Sequence, residues 1–232
     1  MLAWVSGGNM KQQRLMEIYH KLLEHFGPRG WWPGESCLEI MLGAVLTQAV
    51  AWKNVEKAIA ALKEAGLLDF SALLAITEEE LADFIKPALY HRQKARRLKI
   101  LLDFIAENYG GDIDLMFSEP LSQIRARLLA LWGIGPETAD SILLYAGNYP
   151  VFVVDAYTIR IFSRLGWVED KCSYEKMQGL MQRHLPADTQ IYNEYHALLV
   201  ALGANYCKKR KAFCQECPLA EYCSAKRPAG HN

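Results

Sequence analysis

The chain has 232 residues, 26 basic and 26 acidic side chains, and 51% hydrophobic residues. That length and mix suit a globular protein with one large core or two smaller ones, and a net charge of zero excludes recognition of a polyanion by overall charge, leaving only local clusters to do it. No apolar run approaches the roughly 20 residues that span a bilayer. Residues 1–10, MLAWVSGGNM, are too short and too little basic for a secretory signal; they read as an extension ahead of an alternative start at Met10, and the expected compartment is the cytoplasm.

Taken in chain order, the pattern is helical almost throughout. Residues 52–66 put Val55, Ala58, Ile59 and Leu62 on one face and stop at Gly66. The stretch 77–85 opens with Thr77 and Glu80 at capping-box spacing. Residues 93–110 align Ala95, Leu98, Leu102 and Ile105, with Gly110 as the stop, and Arg92, Arg96 and Lys99 share another face that reads equally as a backbone-binding stripe or a plain surface. Residues 121–131 align Leu121, Ile124, Leu128 and Leu131; residues 136–147 start on Pro136, a favoured first helical residue. The run VFVV at 151–154 is short and isolated, so it is expected as an extended connector rather than a sheet strand. Residues 194–206 read as a buried helix, in which His196, like His91 earlier, is a satisfied polar residue. The fold class is all-α, with about ten helices and no repeats.

Three motifs carry chemistry. The first is LWGIGPETAD, residues 131–140, where Gly133 and Gly135 allow positive φ and close backbone approach. Their amides, with those that open the next helix, can point at one anion; the plain alternative is a tight helix–helix turn. About twenty residues on, an apolar run delivers Asp155, followed by a helix with Arg160 and Arg164 on one face. The third is Cys207-x6-Cys214-x2-Cys217-x5-Cys223. Four clustered cysteines in a reducing compartment point to metal, and the spacing alone is divided between zinc and an iron–sulfur cluster. Cys37 and Cys172 stand apart, as small thiols.

In that order and separation the motifs resemble the helix-hairpin-helix DNA glycosylases of the endonuclease III superfamily, from about Leu15 to Cys223. The resemblance implies a two-lobed all-α enzyme of base excision repair, monomeric and nucleoid-associated, with double-stranded DNA between its lobes. It implies an extension at 1–9, one lobe from 10–36 plus 148–203, a second at 37–147, a cluster loop at 204–225 and a tail at 226–232. It makes Gly133, Gly135 and Thr138 a phosphate grip and selects a [4Fe–4S] cluster on the four cysteines. Lys208, Lys209, Arg210 and Lys211 in the first cluster loop then meet phosphates. Asp155 becomes the catalytic carboxylate, facing the positive charge that builds on the sugar as in glycosidases. Bifunctional members place a lysine where this chain has Glu137, so hydrolysis without strand cleavage is implied; whether Glu137 also touches substrate stays open.

The base is expected to be flipped out, with Gln48 of LTQAVAW (46–52) matching the glutamine that enters the duplex. GWWPGE at 30–35, with Trp52, resembles the 3-methyladenine glycosylase branch and implies that Trp31, Trp32 and Trp52 surround an alkylated, cationic purine such as 3-methyladenine or 7-methylguanine. That branch's best-known member lacks the four cysteines. The alternatives are an enzyme for mismatched or oxidised bases with weak lyase action, and a non-catalytic damage-binding protein.

Overall fold

The computed structural model describes residues 7–223. Residues 1–6 of the expected extension and the tail at 226–232 lie outside them, whereas Gly7–Asn9 already belong to the first helix. The described residues are all-α, with twelve α-helices. None is long and apolar enough to cross a membrane.

The chain divides into two compact units, 1–31 with 150–232 and 32–149. The first contains α1 (Gly7–Phe26), α10 (Ala156–Arg164), α11 (Tyr174–His184) and α12 (Thr189–Asn205). Leu15, Ile18 and Leu22 of α1 are fully buried, as are Tyr195 and Leu198 of α12. The Tyr195 hydroxyl donates to the Leu15 carbonyl (2.9 Å). The extended run 151–154 crosses this core with every side chain buried. It has no strand beside it, so side chains take its backbone bonds: Phe152 N–H donates to Gln182 Oε1 (3.0 Å) and Gln178 Nε2 donates to the Phe152 carbonyl (2.8 Å).

The second unit holds α2 (Cys37–Leu46), α3 (Trp52–Glu64), α4 (Phe70–Ala75), α5 (Glu78–Phe84), α6 (His91–Tyr109), α7 (Ile113–Met116), α8 (Leu121–Ala130) and α9 (Pro136–Ser141). Its local chemistry follows the expected signals. Thr77 and Glu80 close a reciprocal capping box, Gly110 ends α6 in the left-handed conformation at φ 62°, and Pro136 opens α9. The helix expected over 136–147 departs from the pattern: after Ser141 it widens into one π-helical turn, Ile142–Ala146.

Candidate functional site

In the second unit the turn between α8 and α9 meets the segment after α2. Gly133 has φ +81°, and a Cβ there would lie 2.5–2.8 Å from Arg97 side-chain atoms, so both backbone and space require glycine. Gly135 corrects the expectation: its φ is −91°, ordinary extended backbone, and it is the N-cap of α9. A Cβ at Gly135 would meet nothing within 4 Å, so no protein contact dictates glycine there. The α8–α9 pair is tied by Arg125, whose Nε and Nη2 donate to the two carboxylate oxygens of fully buried Asp140 at 2.6 and 3.0 Å. Glu137, the second residue of α9, is exposed.

Gln48 lies across this turn. Its Nε2 donates to the Gly133 carbonyl (3.1 Å) and to Thr138 Oγ1 (2.8 Å), and its Oε1 accepts from Arg97 Nη1. Thr138 is therefore an interior partner of Gln48, 6% exposed, rather than a surface residue. Trp32 meets Trp52 edge to face at 5.1 Å and Tyr145 at 5.3 Å. Gly43 makes room for it: a Cβ there would sit 2.9 Å from the Trp32 ring. Trp32 and Trp52 line a cavity of about 200 Å³ together with Glu39, Glu56 and Lys63. Trp52 Nε1 donates to Glu56 Oε1 (2.9 Å), and Lys63 pairs with Glu39 (3.1 Å) and Glu35 (3.2 Å). Trp31 falls at the end of the first unit and is half-buried.

In the first unit Asp155 is the N-cap of α10. Oδ1 accepts from Thr158 N–H (2.7 Å) and Thr158 Oγ1–H (2.8 Å), and Oδ2 lies 3.7 Å from His196 Nε2. Burial pushes this carboxyl up, but His196 and the two Thr158 donors outweigh it and hold the group below the ordinary carboxylate value. Sequence reasoning treated His196 as a core histidine of α12; its place beside Asp155 was not visible, because 41 residues separate them. Arg97 was missed as well, since helical spacing grouped Arg92, Arg96 and Lys99. Lys99 instead caps α4 from inside, donating to the Leu73, Leu74 and Ile76 carbonyls at 2.7–3.1 Å.

Cys207, Cys214, Cys217 and Cys223 line one cavity of about 200 Å³ with Arg164. Arg164 Nη1 is 3.1 Å from Cys207 Sγ and donates to the Lys208 carbonyl (3.0 Å), and Arg160 Nε donates to the Cys207 carbonyl (2.8 Å). Burial and the three neighbouring cysteines push the Cys217 thiol up, against a lowering hydrogen bond at Leu219. Among the described residues no three His, Cys, Asp or Glu side chains are placed to share a single metal ion; the sulfurs surround a volume. Lys208, Lys209, Arg210 and Lys211 are all exposed.

Comparison with known proteins matches residues 42–187, which include the turn and Asp155, to the HhH-GPD superfamily base excision DNA repair proteins. The chain is 45% identical over 217 residues, 93% of this chain and 98% of the relative, to Methanocaldococcus jannaschii MJ1434, whose own assignment as a DNA repair glycosylase is provisional. It is similar to the structure of the Helicobacter pylori 3-methyladenine DNA glycosylase MagIII bound to 1,N6-ethenoadenine, with TM-score 0.69 and 27% identity, covering 83% of this chain and 95% of that one. It shares its fold with a trapped endonuclease III–DNA covalent intermediate, with TM-score 0.78 and 22% identity, covering 97% of each chain. With the hairpin turn, its family match and these likenesses together, the chain belongs to the HhH-GPD family of base excision DNA repair proteins, within the endonuclease III superfamily of helix-hairpin-helix DNA glycosylases.

Proposed function

We propose that this protein is a monofunctional DNA glycosylase that removes cationic, alkylated purines such as 3-methyladenine and 7-methylguanine from double-stranded DNA. The observation that carries the substrate class is the Trp32–Trp52–Tyr145 cluster with carboxylates Glu39 and Glu56 at its cavity. Alkylation at N3 or N7 leaves a purine positively charged, and an indole face attracts a cation by about 0.5–2 kcal/mol. Glu56, by accepting the Trp52 indole N–H, shifts electron density onto that ring and strengthens the attraction. The assignment of Trp31 to the same base rests on the resemblance alone. The similarity to a glycosylase structure that holds a modified adenine supports the same class.

The chemistry needs little beyond a fixed anion. A cationic base takes the electrons of the glycosidic bond and leaves neutral, so no strong general acid is required. The sugar becomes oxocarbenium-like, which Asp155 stabilises, and water adds to it and gives up its proton to Asp155 and then to solvent. Glu137 stands where the resemblance places a lysine nucleophile, and a carboxylate cannot form an imine. Lys94 does not replace it: it is 1% exposed, and its Nζ is committed to the Leu46 and Ala88 carbonyls at 2.8 and 2.6 Å. The N–H groups of Gly133 and Gly135, with those that open α9 after Pro136, take a phosphate, which the open side of Gly135 permits; Lys208–Lys211 add salt-sensitive contacts. For Gln48 to enter the duplex, it exchanges its bonds to Gly133, Thr138 and Arg97 for bonds to DNA.

Cys207, Cys214, Cys217 and Cys223 would hold a [4Fe–4S] cluster. Their all-sulfur donor set, lining one cavity, suits a thiolate-ligated cluster. Such a cluster supplies four iron–thiolate bonds that fix the basic loop in shape. In the test of the mechanism, Asp155→Asn keeps DNA binding and the cap on α10 but lowers excision by about 10³-fold; unchanged turnover would remove Asp155 from the reaction.

A further inference from the structure

Helix α6 sends two cationic side chains, one turn apart, toward the segment that follows α2. Lys94 is buried and donates to the Leu46 carbonyl at the end of α2. Arg97 donates through Nη1 to Gln48 Oε1, while its stem runs directly beneath the hairpin turn, where any Cβ on Gly133 would collide with Nε, Cγ and Cδ. Arg97 Nε is buried and has no hydrogen-bond partner. Burying an unpaired guanidinium donor is unfavourable; against that cost the guanidinium lies over the Trp132 ring at 5.6 Å and donates to Gln48.

That contact decides how the Gln48 amide faces. A guanidinium offers donors only, and an amide has one accepting and one donating end. With Oε1 drawn to Arg97, Nε2 is the end presented to the Gly133 carbonyl and Thr138 Oγ1, both of them acceptors toward it. Reversed, the amide would set its oxygen against the Gly133 carbonyl and its NH₂ against the guanidinium. We infer that Arg97 is a positioning residue that locks Gln48 as a brace across the hairpin turn of the DNA-free protein, pre-forming the 133–138 backbone for its first contact with a phosphate, and that the brace is released when Gln48 enters the duplex. The brace itself is a property of the DNA-free protein; its consequence for DNA affinity rests on the reading of the turn as a phosphate grip.

Hydrogen–deuterium exchange on the DNA-free full chain tests the brace directly. Arg97→Met and Gln48→Ala each speed exchange of the Ile134 amide, which donates to the Leu131 carbonyl (3.2 Å) within the turn, by about 10-fold, leave the α12 amides unchanged, and in combination do no more than either alone, because they remove one shared unit. Arg97→Lys, which keeps a donor, restores part of the protection. For Arg97→Met, which leaves Gln48 in place, duplex affinity and KM weaken with the exchange, while kcat stays within about twofold. Should Arg97→Met fail to fold, Gln48→Ala and Arg97→Lys read the same coupling. Unaltered exchange at Ile134, or fully additive effects of the two substitutions, would overturn the inference. Faster exchange in a protein that binds no duplex in any form would uphold the brace and sink the phosphate-grip reading instead.

Discussion

Asp155 divides its two oxygens between structure and charge. Oδ1 is used up by Thr158 as a helix cap, and Oδ2 is turned toward His196. Because the folded carboxyl is held below its ordinary value, the stability it contributes is fully present above pH ~4 and is lost as pH falls through the folded value; the acid limb of kcat/KM lies at lower pH in step, and it moves to higher pH if His196 is removed. Lys94 gives a slope of the same sign from a different cause. Burial, with Arg97 nearby, lowers its ammonium to about 8. Between that value and the ordinary ~10.4 the unfolded chain binds more protons than the folded one, so this lysine makes stability rise with pH. The difference in unfolding free energy between wild type and Lys94→Met, followed by urea titration from pH 7.5 to 10, will carry that slope; a flat difference would show Lys94 titrating normally. An N-cap at Asp155 was readable from one residue type after an apolar run. His196 and Arg97 were not, because their partners come from distant segments and a helical wheel shows only which face a side chain takes.

At the level of elements, the hairpin is a pair of helices clamped by one buried ion pair. Asp140 is inaccessible, so breaking the Arg125 contact strands a charge that has no water to fall back on. Arg125→Met, which leaves the buried carboxylate in place without the arginine, is expected to cost about 3 kcal/mol, seen as a lower urea midpoint with an unchanged m-value; a loss below about 0.5 kcal/mol would mean that the pair is spectator to folding. Most helices were legible from periodicity and punctuation: Thr77 with Glu80, Pro136 and Gly110 each act locally, within one turn of the boundary they set. The π-turn at Ile142–Ala146 had no such signal, since its residues suit an α-helix equally well. The connector 151–154 was recognisable as extended, but what satisfies it, Gln178 and Gln182 of α11, is a tertiary fact. Gly135 misled for a related reason: glycine marks either a backbone angle or an approach, and only the structure shows that the angle there is ordinary.

For the whole molecule, the proposed handling of a polyanion by a neutral chain rests on concentrated charge. Lys208–Lys211 stand exposed on a loop whose carbonyls are gripped by Arg160 and Arg164 of α10, the helix that Asp155 caps. The four cysteines share a cavity with Arg210 of that loop, so on the proposed cluster the loop's shape depends on what the sulfurs hold. Protein purified without air is expected to carry about four irons per chain and to lose both colour and duplex affinity on iron removal, with the affinity loss shrinking as salt is raised; zinc at one ion per chain would refute the cluster. The central claim is hydrolytic release of a cationic purine, and it is met most directly by mass spectrometry of the bases freed from methylated duplex DNA, with the strands recovered from the same reaction. The account predicts free 3-methyladenine or 7-methylguanine, strands that stay whole until alkali is added, and no protein–DNA adduct under borohydride. Recovery of no methylated base, or of nicked strands with a borohydride-trapped adduct, would contradict it.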